Sequence, residues 1–100
     1  MNLEKEIIST LKSIYDPEIP VNIYEMGLIY DIKIKNGGEV KIIMTLTTPN
    51  CPVAEILPQE VKKKVELIKK VKNVKIIITF DPPWEYKMMS EEARLELGLI

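Results

Sequence analysis

The side chains here that could hold a metal are carboxylates and one thiol, because histidine is absent and Cys51 is the single cysteine. Thiolate is a soft ligand suited to iron or zinc, whereas carboxylates are harder. Cys51 lies in Thr47-Thr48-Pro49-Asn50-Cys51-Pro52, between a strand-like run and a helix-like run. A thiol at a helix N-terminus meets unpaired backbone N–H groups and the positive end of the helix dipole, which favour thiolate. Cys51 is therefore either a reactive or metal-binding sulfur or a small apolar residue packed under the helix start. One sulfur cannot complete a four-coordinate zinc or iron–sulfur site. Further ligands would have to come from a partner, a small thiol or a second subunit. Two copies about a two-fold axis would supply two sulfurs, which admits a bridging cluster in a homodimer. Thiol catalysis would need a nearby base, normally histidine, so no enzyme activity is expected.

Other polar residues carry paired readings. Asp16 and Glu18, in Asp16-Pro17-Glu18-Ile19-Pro20, are ligands or caps of a proline-set turn. Asp81 is a ligand or a residue that ends a strand. Thr47 and Thr48 could donate hydrogen bonds to a sulfur or stabilise their own loop. Trp84 is an exposed anchor for a partner or a lid on the core. Met88 and Met89 offer a soft contact surface or fill gaps. Lys62, Lys63, Lys64, Lys69, Lys70 and Lys72 read as a solvated helix surface; a nucleic-acid site would want interleaved aromatics and a basic domain.

Composition narrows the class. One hundred residues, 46% apolar and with a formal charge of -1, fit a single domain over residues 1–100 with one modest core. No apolar run approaches the roughly 20 residues that span a bilayer, so no membrane association is expected. The opening Met1-Asn2-Leu3-Glu4-Lys5-Glu6 is too acidic for a secretory signal. A lone cysteine, which forms no internal disulfide, suits a reducing cytoplasm.

The elements that must position these residues follow from periodicity. Leu3 to about Tyr15 has apolar residues at 3, 7, 11 and 14, with 8 and 15 alongside, which predicts a helix capped by Asn2 and stopped by Pro17. Leu28 to Lys35 alternates, with Leu28, Tyr30, Ile32 and Ile34 on the inner face. Asn36-Gly37-Gly38 marks a hairpin. Glu39 to Thr47 follows, with Val40, Ile42, Met44 and Leu46 inside and Lys41, Ile43, Thr45 and Thr47 outside. Pro52 to about Val71 has helical spacing through Ala54, Leu57, Val61, Val65, Ile68 and Val71, with Pro58 predicting a kink or a short turn. Val74 to Phe80 is the third strand, ended by Asp81-Pro82-Pro83-Trp84. Ser90-Glu91-Glu92 opens a last helix closed near Gly98.

The order α-β-β-α-β-α predicts an α/β (α+β) two-layer sandwich around a small mixed three-stranded sheet. An antiparallel hairpin returns to its starting end, and the second helix then carries the chain back. The third strand should run parallel to the second. The three proline-rich segments would then meet at one end, gathering Cys51, Asp16, Glu18, Asp81 and Trp84.

Five ordered motifs carry a family resemblance. They are Asp16-Pro17-Glu18-Ile19-Pro20, Glu25-Met26-Gly27-Leu28-Ile29-Tyr30, Met44 through Pro52, Phe80-Asp81-Pro82-Pro83-Trp84 and Met89-Ser90-Glu91-Glu92-Ala93-Arg94. Together they resemble the SufT/PaaD-like family of iron–sulfur cluster assembly factors, formerly a domain of unknown function. The resemblance implies an accessory factor that helps deliver clusters to apoproteins, with a P-loop ATPase carrier or scaffold and client apoproteins as partners. It implies a fold similar to the C-terminal domain of NifU-type scaffolds. The family's acidic pair and Thr-Thr-x-x-Cys motif fall on Asp16, Glu18, Thr47, Thr48 and Cys51, with Cys51 the expected metal ligand. A transient cluster or iron shared with a partner is implied, and none held stably by one monomer. The phenylacetate-oxygenase branch tends to carry a cysteine-bearing C-terminal extension, which this sequence lacks, so the general maturation branch is favoured. The alternatives are a metal-free adaptor that only binds partner proteins, or a subunit accessory to phenylacetate-type oxygenase maturation.

Overall fold

The computed structural model describes residues 3–15, 20–35, 37–46 and 56–98. Its elements are α1 (Leu3–Leu11), β1 (Ile29–Lys35), β2 (Glu39–Met44), α2 (Ile56–Glu66), β3 (Asn73–Ile78), a 3₁₀ turn (Tyr86–Met88) and α3 (Glu91–Glu96). This is the predicted order, with the 3₁₀ turn added. The strands form one sheet in the order β1-β2-β3. β1 and β2 are antiparallel, whereas β2 and β3 are parallel in the register Met44↔Ile78. The parallel crossover expected from the sequence is present.

The α1 helix has Glu4 and Glu6 in its first turn and buries Ile7 and Leu11. It ends at Leu11, four residues before the predicted end. There the backbone tightens: Ser13 N–H donates to Thr10 O at 3.0 Å and Ile14 N–H to Leu11 O at 3.2 Å. Ile14 remains buried, but Tyr15 is 51% exposed rather than on the core face. Asn2 and Pro17, the predicted cap and stop, lie outside the described residues.

Residues 22–28 form a compact turn that periodicity does not reveal. Glu25 N–H donates to Asn22 Oδ1 at 2.9 Å. Met26 N–H donates to Asn22 O at 3.1 Å and Leu28 N–H to Ile23 O at 3.2 Å. Asn22 thus caps a single helical turn, and Gly27, at φ 78°, ends it in the left-handed region. The turn drives Ile23, Met26 and Leu28 into the core.

Along β2, Val40, Ile42, Met44 and Leu46 are buried as the alternation predicts. Thr45 departs from it. Assigned to the solvent face, it is fully buried, with its N–H on Leu28 O at 2.8 Å. On β1 the register shifts between Ile29 and Asp31, leaving Tyr30 as an extra residue. Ile34, near the hairpin, is 38% exposed. Gly38 lets the hairpin meet the turn before β3, because a Cβ there would sit 2.4 Å from Lys70 O.

Leu57, Val61 and Val65 on α2 are buried. Pro58 lies within α2, near the start of its described part, and the stretch ahead of it falls outside the described residues. The helix ends at Glu66 rather than near Val71, but Val71 is still buried through a turn that donates its N–H to Ile68 O at 3.0 Å. Phe80, expected as the last residue of the third strand, lies beyond its end at Ile78 and is 41% exposed. At α3, Ser90 is the predicted N-cap, its side chain accepting from Ala93 N. The buried side chains of all these elements form one cluster. Full burial of a residue such as Ile42 contributes about 2 kcal/mol.

Candidate functional site

The sheet fixes where the second and third proline-rich segments attach. Ile29 starts β1, Met44 ends β2 and Ile78 ends β3, and these three residues share one row. Beyond that row, Thr45 N–H donates to Leu28 O at 2.8 Å and Thr79 N–H to Met44 O at 2.9 Å. The chain therefore enters Thr47–Pro52 beside the start of Asp81–Trp84. Asp16, Glu18, Thr47, Thr48 and Cys51 themselves lie outside the described residues. What the structure gives is their anchorage: Leu46 is buried on one side of the thiol motif and Leu57 on the other.

The acidic loop is anchored by its ends. Tyr15 and Asn22 form an antiparallel bridge across it, and Ile23 N–H donates to Ile14 O at 2.9 Å. The residues on either side of the 16–19 stretch are thus tied to each other. Its flanking residues Tyr15 and Pro20 rim a depression of about 230 Å³, together with Glu25, Glu92 and Glu96. Glu25 is paired there with Lys12, Oε1 to Nζ at 3.7 Å, and Lys12 Nζ also lies 5.4 Å from the Tyr24 ring centre. Sequence reading missed this meeting of Glu25 with α3. The helix docks there by a long-range bond, Ser90 N–H to Glu25 O at 2.8 Å. The local signal was Asn22 and Gly27 five residues apart, the two ends of a capped turn. Among the described residues, no group of three or more acidic, cysteine or histidine side chains could hold a metal.

The third proline-rich segment is described, and it serves as packing. Asp81 is exposed. Its N–H donates to Thr79 Oγ1 at 3.2 Å, and Thr79 Oγ1 donates to Asp81 O at 3.3 Å, which closes the end of the strand. Trp84 is half-buried against the core, and its Nε1–H donates to Met26 O at 2.7 Å. Of its two readings, the lid is the one observed. Tyr30 donates its hydroxyl to Pro82 O at 2.7 Å and to Met88 Sδ at 3.5 Å. Met89 is buried. Both methionines fill gaps.

With this geometry in place, comparison with known proteins is informative. Residues 4–76 match the family model described as iron-sulfur cluster assembly protein. The chain belongs to that family. An "Fe-S protein maturation auxiliary factor" from Porphyromonas gingivalis is 51% identical over 100 residues, covering 100% of this chain and 95% of that protein. "Fe-S protein maturation auxiliary factor SufT" from Staphylococcus aureus is 31% identical, over 86% of this chain and 98% of that one. The crystal structure of a domain of unknown function, DUF59, from Bacillus anthracis superposes with a TM-score of 0.91 at 30% identity, over 98% of this chain and 93% of that one. The SufT-like resemblance read from the motifs is thereby supported by independent matches in sequence and fold. No helix among the described residues is long and apolar enough to cross a membrane.

Proposed function

We propose that this protein is a non-enzymatic auxiliary factor in iron–sulfur protein maturation. Cys51 serves as a transient ligand to iron or a cluster that passes through as cargo. Asp16 and Glu18 act as further ligands or as partner contacts, and Thr47 and Thr48 orient the thiol loop. The observation that carries the reading is the match along the full chain to a maturation auxiliary factor at 51% identity. The ligand inventory adds a constraint, since one thiol without histidine leaves a cluster incomplete in a monomer. The missing ligands come from a carrier ATPase, a scaffold, a client apoprotein or a second copy of the chain, and the work is done in the cytoplasm.

Anaerobic reconstitution tests the cargo role. Wild-type protein incubated with ferrous iron, sulfide and a small thiol should develop the visible absorption of a cluster, and Cys51→Ala should not. Equal absorption in the two proteins, or none in either, removes Cys51 as a ligand. A transfer assay then separates ligand from adaptor. The rate at which a carrier ATPase activates a cluster-dependent apoenzyme should rise with wild-type protein and fall back with Cys51→Ser. Full stimulation by Cys51→Ser would assign the chain to metal-free bridging.

A further inference from the structure

The sheet carries a second feature, away from the thiol motif. Lys33 pairs with Lys41, and Lys41 pairs with Lys75, so three lysines stand in one row across all three strands. Residues directly opposite one another project to the same face. That face is opposite Val40, Ile42 and Val74, whose side chains enter the core. Lys33 and Lys75 are exposed and Lys41 is half-buried between them. Among the described residues, none of the three has an ion-pair partner. Lys35 extends the patch toward the hairpin, in the row of Glu39 and Asn73. These residues line one shallow depression of about 200 Å³. Toward the thiol end the next row of this face holds an exposed Asp31 beside half-buried Ile43 and Ile77, and Thr45 beyond it is fully buried.

Like charges placed directly across strands are destabilising. Lysine on an edge strand is commonly explained as a guard against edge-to-edge pairing. That explanation covers Lys33 on β1 and Lys75 on β3, both edge strands, but not Lys41 on the central strand. We infer that the row Lys33–Lys41–Lys75 is a docking surface for a carboxylate-rich segment of a partner protein, laid across the strands. Adjacent strands are about 4.8 Å apart. The spacing along the row therefore approximates that of carboxylates on one helix face, about 5–6 Å. The patch lacks what nucleic acid would want: it holds no aromatic side chain, and the chain's arginine, Arg94, is on α3. The inference goes beyond the maturation role and makes no use of Cys51.

The probe is a poly-glutamate peptide, titrated at low ionic strength into isotope-labelled protein in the absence of iron and sulfide. Amide shifts should centre on Lys33, Lys41 and Lys75 and shrink as salt is added. K33Q/K41Q/K75Q should weaken binding roughly tenfold, while K62Q/K63Q/K69Q, which removes equal charge from the region of α2, should leave it unchanged. Similar losses in the two variants, no binding by the wild type, or tighter binding of single-stranded oligothymidylate would each overturn the inference. Should the triple variant lose its fold by circular dichroism, Lys41→Gln alone should weaken binding severalfold, and unchanged affinity there would also overturn it. With no metal present, failure here leaves the reading of Cys51 standing.

Discussion

Trp84 shows what single residues disclose and what they withhold. Its type and its proline neighbours admitted two roles, and one hydrogen bond, Nε1–H to Met26 O at 2.7 Å, selects the lid. Trp84→Phe should keep most of the packing but leave that carbonyl unpaired. We expect a loss of about 1 kcal/mol in urea unfolding, with cluster-transfer stimulation retained. Gly27 is the stricter position. A Cβ there would lie 2.1 Å from Met88 O, at a φ of 78°. Gly27→Ala should therefore cost more than about 2 kcal/mol, visible as a large drop in melting temperature. An unchanged melt would mean that the 22–28 turn and the 3₁₀ turn can separate freely. Cys51 contrasts with both. Its chemistry is legible from type alone, because thiol and carboxylate are the metal-binding groups available, but its surroundings are a tertiary matter.

At the scale of elements, legibility follows how local the determinants are. The inward set of β2 was readable because Val40, Ile42, Met44 and Leu46 alternate and the strand sits in the middle of the sheet. Thr45 broke the pattern because alternation describes one strand, while Thr45 lies past the end of β2, where its N–H bonds Leu28 O across the sheet. The end of α1 was overestimated because Ile14 keeps helical spacing although the backbone has already tightened at Ser13. The α3 helix was readable from its cap. Ser90 accepts from Ala93 N at 3.1 Å, and in a helix of six residues that bond is a large share of the local stabilisation. Ser90→Ala should cost about 1 kcal/mol. Because Ser90 also bonds Glu25 O through its backbone, amide exchange should quicken both in α3 and around Glu25. Faster exchange confined to α3 would argue that the two are not coupled.

For the whole molecule, the order of elements and the parallel crossover were both legible, because βαβ connections obey strong rules of handedness and return. Those rules also explain why the chain leaves β2 and β3 side by side at one end of the sheet, while the expected meeting of the acidic loop with the thiol motif falls outside the described residues. The rules could not place the acidic depression beneath α3, where Glu25 and Glu92 meet through contacts between distant parts of the chain. The core binds these parts into one cluster, so its centre should be sensitive. Ile42→Ala, at a fully buried position on the central strand, should destabilise by about 3–4 kcal/mol in denaturant titration, against a few tenths for Lys62→Ala on the surface.

The crossover between β2 and β3 also sets an order of events. β1 and β2 meet across a tight hairpin, a closure that is fast and local. Met44 reaches Ile78 only after the intervening chain has been looped back, and long-range parallel pairing is intrinsically slow. Thr47–Cys51 lies within that looped stretch. As the chain emerges from the ribosome, its thiol is synthesised well before the strand that completes the sheet. Closure of the stretch that holds the thiol motif would then be set by the rate at which one strand finds its neighbour.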